Sequence, residues 1–348
     1  MRRQGWRILA FCAATGFLLL ESARFGDGIR AGIRLCGAVL IPSLFPMSVL
    51  CALWTGSGTA EAGGSRLDRC MRALLKLPGQ AAAPILLGLV GGYPLGVHAL
   101  TRLYQNGKLN RREAVAVSAF CNNPGPAFLI GAVGILLFHS AAIGAAIWGI
   151  CAVSAILTGI LLANRGSGSH GRISERRIPA EPASGAFPKA VREGVDAMLR
   201  VCGIVILFCG MQAVIRRPLA ALRLPDWMQT LLFGALELTT GTVSAAPLDA
   251  PLRFLMCTLF AGWGGLCVHA QAAEALGQAG LPLQPYLRGK LLHAGLSLLL
   301  GLVLCPWLFP AGPYSLPRGR VLLPILGFFL ALPLFFSKNR WKKQKDVL

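Results

Sequence analysis

The sequence contains little charge. Only 14% of its 348 residues are Asp, Glu, Lys or Arg, whereas soluble domains carry roughly 25%. Acidic residues are especially scarce, with 14 Asp and Glu against 34 Lys and Arg, so the formal net charge is +20. The low charge content disfavours a water-soluble protein, and the excess of basic residues needs its own explanation.

Several catalytic and metal-binding motifs are also missing. The chain has no phosphate-binding loop of the form G-x-x-x-x-G-K-[ST], which disfavours ATP-driven pumping. It has no G-x-S-x-G or H-E-x-x-H, so an intramembrane hydrolase lacks an obvious catalytic group. Its 11 cysteines form no C-x-x-C and no Cys/His cluster at metal spacing, and most lie in apolar runs. We therefore predict no enzymatic activity, no metal and no cofactor.

Long apolar runs are what the chain does have. Hydrophobic residues make up 55% of it, and its mean hydropathy is +0.61. A helix of about 20 apolar residues crosses a hydrocarbon core of about 30 Å. We predict an all-α polytopic membrane protein with about eight spanning helices plus two re-entrant hairpins. The expected spans lie near residues 6–21, 35–54 (kinked by Pro42 and Pro46), 114–138, 141–162, 199–215, 231–246, 291–309 and 321–336.

The basic residues cluster in short segments between the apolar runs. They include Arg2, Arg3 and Arg7; Arg66, Arg69, Arg72 and Lys76; Arg165 to Arg192; and Lys338, Arg340, Lys342, Lys343 and Lys345. This placement argues against a nucleic-acid binder and follows the positive-inside rule. We predict a multi-pass protein of the cell membrane with both termini in the cytoplasm, its first helix retained rather than cleaved as a signal peptide.

One segment, 164–188, is rich in Gly, Ser, Pro and Arg and is predicted to be a cytoplasmic linker. It separates an N-terminal membrane repeat, 1–163, from a C-terminal membrane repeat, 189–337. A basic cytoplasmic tail, 338–348, follows.

The two halves align when one is shifted by 171 residues. Gly91, Leu95 and Val97-His98-Ala99 then match Gly262, Leu266 and Val268-His269-Ala270, which gives five identities in nine positions. Broken segments at matching places are the best sequence indication of a transporter's binding site. The alternative is a coincidence between two glycine-rich stretches, and the charges leave open whether the repeats are inverted or parallel.

The two glycine-rich stretches are predicted to be tips of the re-entrant hairpins. Small residues let the backbone approach a solute, and half-helix N-termini favour an anion. The alternative is tight packing of helices through small residues. Candidate solute-binding residues at the two tips are Gly92, Tyr93, Pro94 and Gly96 in the first, and Gly264, Gly265 and Gln271 in the second.

Polar residues inside two other apolar segments are further candidates. Asn122 and Asn123 stand beside prolines that interrupt the helix, so they either bind solute or cap the next helix. Glu237 is a carboxylate in an apolar stretch, a placement that costs several kcal/mol without a partner. It either belongs to the site, together with Thr239 and Thr240, or caps a broken helix.

Three residues are candidates for proton coupling: His98, His269 and Glu237. Histidine changes its charge near neutral pH, and the repeat alignment places the two histidines in equivalent positions. The alternative is a structural role, which is the commoner one for a lone histidine.

The combination of motifs resembles the YlbJ-type sporulation integral membrane proteins, over most of the chain. The motifs are Ile41-Pro-Ser-Leu-Phe-Pro46, Gly92-Tyr-Pro-Leu-Gly96, Tyr104-Gln-Asn-Gly-Lys-Leu-Asn-Arg-Arg-Glu-Ala114, Phe120-Cys-Asn-Asn-Pro-Gly-Pro126, Glu237-Leu-Thr-Thr-Gly241 and Gly264-Gly-Leu-Cys-Val-His-Ala-Gln271. These proteins belong with the nucleoside-recognition, or Gate-domain, membrane proteins. The resemblance implies Gate-like halves and a fold related to concentrative nucleoside transporters.

The resemblance also implies a role in endospore formation, in passage of dipicolinic acid from the mother cell across the outer forespore membrane. We therefore expect a secondary-type carrier whose partners are a small dipicolinate-like anion and the lipid bilayer, and not nucleic acid. The alternatives are a carrier of a nucleoside-like solute and a non-transporting membrane scaffold required for sporulation. The coupling ion, the direction of transport and the formation of a homo-oligomer stay open.

Overall fold

A computed structural model describes residues 12–13, 15–56, 59–163 and 183–310. All regular elements in this part of the chain are helical, which confirms the all-α prediction. We number them α1 (Ser22–Leu35), α2 (Ile41–Gly56), α3 (Thr59–Leu75), α4 (Ala82–Gly91), α5 (Leu95–Gln105), α6 (Arg111–Ser118), α7 (Ala127–Leu137, in π-helical geometry), α8 (Ala141–Ala163), α9 (Ala183–Ala221), α10 (Asp226–Leu236), α11 (Leu238–Ser244), α12 (Ala250–Trp263), α13 (Gly265–Gln278) and α14 (Leu283–Leu308).

Several of these helices have the length and apolar composition needed to cross a membrane. The described residues contain four such helices, or up to six spans if two bent helix pairs are counted. The four are Ala141–Leu162, Gly185–Ala221, Ala250–Gln278 and Leu283–Leu308. The chain is therefore an integral membrane protein with several apolar helices.

Some predicted segments lie outside the described residues. They are the beginning of the first span (residues 6–11, and residue 14), the last span at 321–336, the tail at 338–348 and the larger part of the linker, 164–182. Helix α9 begins at Ala183, so the last residues predicted as linker are helical. Pro188 lies inside this helix, since a proline removes only one backbone hydrogen bond from it.

The predicted kink near Pro42 and Pro46 is confirmed. A π-helical turn, Cys36–Leu40, joins α1 to α2. The helix axis bends by 56° between Ser22–Leu40 and Leu44–Trp54. Proline removes a helical hydrogen bond and its ring clashes with the preceding turn, which bends the axis.

Helices α4 and α5 form the first hairpin, as the glycine-rich tip predicts. They pack side by side and are joined at Gly92, whose φ of 88° favours glycine. Near the tip, Gly88 and Gly96 face each other, and a Cβ on either would collide with the carbonyl oxygen of Cys121. The absence of side chains at these two positions lets the arms approach each other and the next segment.

The second hairpin is not where the sequence places it. Helices α12 and α13 form one run, Ala250–Gln278, interrupted only at Gly264. Instead α10 and α11 fold back on each other around Glu237, where the Thr230 hydroxyl donates to the Ser244 carbonyl oxygen at 2.8 Å. Gly234 and Gly241 pack together across this hairpin. The predicted tip at Gly262–Gly265 is thus a break within a helix. The sequence did not distinguish the two, because helix breaks and hairpin tips both favour small residues.

This result changes the alignment of the two halves. In each half a hairpin is followed by a broken helix: α4 and α5 precede the break between α6 and α7, and α10 and α11 precede the break between α12 and α13. The shift of 171 residues pairs a hairpin tip with a helix break. His98 and His269 therefore do not occupy equivalent places in the fold.

Helix α12 is the centre of the molecule. Its residues from Leu252 to Trp263 are nearly all buried, as expected for a helix that is apolar on every side. Phe254, Leu259 and Phe260 form a core cluster with residues of α8 and α14. Between those two helices, the Ser154 and Ser297 hydroxyls are hydrogen-bonded at 2.7 Å. This packed unit holds the break at Gly264 next to both hairpin tips.

Candidate functional site

The two hairpin tips and the two helix breaks, one between α6 and α7 and one between α12 and α13, meet at one place. A Cβ on Gly92 would lie 2.9 Å from the amide nitrogen of Gly125, which joins the first hairpin to the break after α6. A Cβ on Gly264 would lie 2.8 Å from the Tyr93 hydroxyl oxygen, and one on Gly265 would lie 2.9 Å from the Glu237 Cα. Both hairpin tips therefore contact the break between α12 and α13.

A cavity of about 70 Å³, measured as the space open to the centre of a water molecule, lies where these segments meet. This is well above the roughly 10–15 Å³ needed for one water molecule, so several waters or a small solute could enter it. Its lining is mostly apolar and consists of Leu40, Leu44, Gly91, Gly92, Tyr93, Pro124, Gly125, Ala127, Phe128, Val201, Val205, Glu237, Leu238, Thr239, Cys267, Val268 and Gln271. An apolar lining with a few polar groups is typical of a small-molecule site.

The first hairpin tip contributes backbone and one aromatic ring to the cavity. Gly92 and Tyr93 line it, whereas Pro94 and Gly96 do not. Gly96 packs against the backbone at Cys121, so its role is the close contact that sequence reasoning considered as the alternative. The Tyr93 hydroxyl donates to the Ala261 carbonyl oxygen at 3.2 Å, which ties the tip to α12.

Asn122 and Asn123 lie behind the cavity wall and do not line it. Both are fully buried. The Asn122 amide donates to the Tyr286 hydroxyl at 3.4 Å, and that of Asn123 to the Phe120 carbonyl oxygen at 2.9 Å. No side chain caps α7, so the alternative role of capping the next helix is wrong.

Glu237 lines the cavity and also caps α11. Its two carboxylate oxygens accept hydrogen bonds from the amides of Thr239 and Thr240, at 2.8 and 2.7 Å. The Thr240 hydroxyl donates to the same carboxylate at 3.0 Å. The alternative prediction, a cap on a broken helix, is confirmed. Thr239 lines the cavity, while Thr240 serves the cap.

The break between α12 and α13 places Gln271 at the cavity. Gly264 and Gly265 both have a φ of 87°, and neither is among the lining residues. Gln271, two turns into α13, does line the cavity. Its amide donates to the Cys267 sulfur at 3.6 Å. The two glycines thus form the break, and the side chain that reaches the cavity comes from the helix that follows.

The two histidines predicted for proton coupling lie apart from the cavity lining. His269 is buried, with its ring edge-on to Trp263 at 4.2 Å between centroids. Its Nδ1 is 3.2 Å from the Tyr286 hydroxyl oxygen. His98 lies on α5, where the Thr101 hydroxyl donates to its carbonyl oxygen.

Several buried polar atoms have no hydrogen-bond partner, including atoms of Gln212 and Arg253, which do not line the cavity. Among the described residues they include Oδ1 of Asn122 and of Asn123, Nε2 of His269 and Oε1 of Gln271. An unsatisfied buried polar atom costs about 1–3 kcal/mol. Such groups are rare in folded proteins, and of these four residues only Gln271 lines the cavity.

Lys290 and His293, on α14, were missed by the sequence reasoning. Both are fully buried beside Tyr93 and Asn122, and the Lys290 ammonium donates to the Asn122 carbonyl oxygen at 2.9 Å. The predicted span began at residue 291, whereas α14 begins at Leu283. A lysine just before an apolar run is normally assigned to the membrane surface. Recognising that the helix begins before Lys290 would have placed this lysine inside it.

The charges around the cavity are few. Glu237 is its one charged lining residue in the described part of the chain, and its carboxylate faces the amides at the start of α11. Helices α5 and α13 also begin beside the cavity, with the partial positive charge of a helix N-terminus. The described residues contain no group of three or more His, Cys, Asp or Glu placed to hold a metal ion.

Comparison with known proteins agrees with this description. Residues 38–142, which contain the first hairpin and the break after α6, match the family model described as Gate, nucleoside recognition. The chain is 25% identical over 311 residues to the sporulation integral membrane protein YlbJ of Bacillus subtilis (strain 168), covering 77% of this chain and 74% of that protein. No solved structure matches the chain. The chain is therefore an integral membrane protein that is similar to YlbJ and matches the Gate family model over residues 38–142.

Proposed function

We propose that this protein is a secondary-type carrier of a small anionic solute, and that the solute is dipicolinate or a related dicarboxylate used in endospore formation. The observation that carries the proposal is the meeting of two hairpin tips and two helix breaks at one cavity. Carriers commonly place their solute site where discontinuous helices meet near the middle of the membrane. The link to sporulation comes from the similarity to YlbJ, which is named as a sporulation integral membrane protein.

The cavity suits a small aromatic anion in shape and charge. Phe128, Val201 and Val205 offer apolar surface for a ring. The N-terminal ends of α5 and α13 lie beside the cavity and offer positive potential for carboxylates. Glu237 keeps its negative charge, but the amides of α11 occupy both of its carboxylate oxygens and fix the group at the start of that helix.

A nucleoside-like solute is the second candidate. Gln271 lines the cavity and its Oε1 has no hydrogen-bond partner, so a hydroxyl group of a solute could donate to it. The family description, nucleoside recognition, points the same way. Uridine is therefore a necessary competitor in any transport assay.

The test is uptake by liposomes that contain the purified protein. Labelled dipicolinate should enter these liposomes faster than protein-free ones, and uridine should not compete. Gly264→Val should abolish the uptake for two reasons. The new side chain would collide with the Tyr93 hydroxyl, and valine is strained at the positive φ of this position. The matched control is Gly277→Val, where a Cβ has nothing within 4 Å.

Three outcomes separate the alternatives. Uptake of dipicolinate that depends on Gly264 supports the proposal. Uptake of uridine alone supports the second candidate. If neither solute enters while the protein is folded and inserted, and Gly264→Val still restores sporulation to Bacillus subtilis lacking YlbJ, the scaffold role replaces both carrier functions.

A further inference from the structure

Lys290 has an unusual environment for a charged residue. Its side chain is fully buried, and its three N–H groups meet three acceptors. These are the Asn122 carbonyl oxygen at 2.9 Å, the Tyr93 hydroxyl at 3.3 Å and Nδ1 of His293 at 3.3 Å. Nε2 of His293 lies 2.9 Å from the Cys151 carbonyl oxygen, so this nitrogen carries the proton and Nδ1 accepts. The geometry matches a charged ammonium group.

The charge of Lys290 is not balanced by a carboxylate. Ion pairs among the described residues include those of Arg24, Arg30, Arg72, Arg102 and Arg200, and none of these pairs involves Lys290. Neutral acceptors satisfy its hydrogen bonds but leave a net positive charge in a buried place. Burying a charge without a counter-charge is energetically unfavourable. Within membrane segments such residues usually mark a solute pathway.

Tyr93 connects this charge to the cavity. Its ring lines the cavity, and the Lys290 ammonium lies 5.3 Å from the ring centroid. Its hydroxyl accepts from Lys290 and donates to the Ala261 carbonyl oxygen, which fixes the ring in place. The Tyr93 ring therefore separates the ammonium from a solute in the cavity. Buried surroundings screen charge poorly, so the ammonium can still attract that solute.

We propose that Lys290 determines the charge selectivity of the cavity by supplying the counter-charge for an anionic solute. This inference rests on the proposed carrier function and identifies a residue behind its preference for anions. Lys290 acts on the solute through space and does not replace the backbone N–H groups as a direct ligand. The attraction should grow with the negative charge of the solute.

The test uses three pyridines of similar shape and different charge: dipicolinate, picolinate and picolinamide. Uptake into liposomes is measured for the wild type, Lys290→Met and Lys290→Arg. We expect Lys290→Met to raise the KM by about tenfold or more for the dianion, by less for the monoanion, and to leave the neutral amide unchanged. Lys290→Arg should retain the preference, since it keeps the charge. Lys76→Met, which removes an exposed lysine, is the matched control.

The results separate this inference from the carrier function. Dipicolinate uptake by the wild type with an unchanged KM in Lys290→Met overturns the inference alone. A loss that is equal for all three pyridines indicates a structural role and also overturns it. No uptake of any anion by the wild type overturns both proposals. If Lys290→Met does not fold, Lys290→Gln, which keeps a donor for Asn122, is compared with Lys290→Arg on the same solutes.

Discussion

At the scale of single residues, Glu237 combines two roles that the sequence presented as alternatives. It lines the cavity and it is the N-terminal cap of α11. A carboxylate in an apolar stretch is easy to detect in a sequence. Its partners were also predictable, because the residue before a helix accepts hydrogen bonds from the amides of the second and third helical residues, here Thr239 and Thr240. What the sequence does not reveal is that the capped end faces a cavity.

Replacing Glu237 with Gln should reduce transport more than stability. The amide keeps one acceptor oxygen but loses the acceptor for Thr240, a change of about 1–2 kcal/mol. We expect dipicolinate uptake to fall by about tenfold or more, since 1.4 kcal/mol at the site corresponds to a factor of ten. Uptake into liposomes at equal protein content measures the effect.

Asp249→Asn is the control for this variant. Asp249 caps α12 by accepting from the Leu252 amide at 3.4 Å, and it is not among the residues that line the cavity. It should lower the melting temperature slightly and leave uptake unchanged. Equal losses of uptake in the two variants would mean that the caps matter only for folding.

At the scale of helices, both hairpins depend on pairs of glycines. Gly88 and Gly96 allow α4 and α5 to approach, and Gly234 and Gly241 do the same for α10 and α11. The first tip was recognised because its glycines follow an apolar run too short to span a membrane. The second was misassigned because Glu237 suggests a site but not a reversal of the chain, which follows from the pairing of Gly234 with Gly241.

Gly88→Ala should destabilise the protein. The added methyl group would collide with the carbonyl oxygen of Cys121, and a backbone atom cannot rotate away. Overpacking of this kind costs about 1–3 kcal/mol. Gly149→Ala, in α8, adds the same methyl group with nothing within 4 Å and should stabilise by about 0.5–1 kcal/mol. Thermal unfolding in detergent compares the two, and a Gly88→Ala protein as stable as the Gly149→Ala protein would refute the predicted packing.

At the scale of the whole molecule, α9 links the first hairpin to the second broken helix. Arg102 of α5 pairs with Glu193 of α9 at 2.7 Å, and Arg200 of α9 pairs with Glu274 of α13. Val201 and Val205 of the same helix line the cavity between these elements. Neither ion pair was predicted, because the partners are 91 and 74 residues apart in sequence.

The Arg102–Glu193 pair should contribute modestly to stability. Both side chains are partly exposed, at 30% and 37%, so water screens their attraction. A double-mutant cycle with Arg102→Ala and Glu193→Ala should give a coupling energy of about 0.2–1 kcal/mol that decreases as salt is added. A coupling of zero at low salt would show that the two side chains do not interact in solution.

The membrane character, the all-helical class and the places where helices break can be predicted from the amino-acid sequence alone. These follow from local properties: the length of apolar runs, the absence of charge, and proline or glycine where a helix cannot continue. The same local reasoning located Glu237 and Gln271, because polar side chains are conspicuous in apolar segments.

Which helix breaks and hairpin tips face one another depends on the tertiary structure. It brought Gly92, Gly125, Glu237 and Gly264 together, moved the asparagines behind the cavity wall and placed Lys290 beside Tyr93. These contacts join segments up to 197 residues apart in sequence. They depend on how glycine-lined surfaces pack. The sequence does not distinguish a glycine at a hairpin tip from a glycine at a helix break.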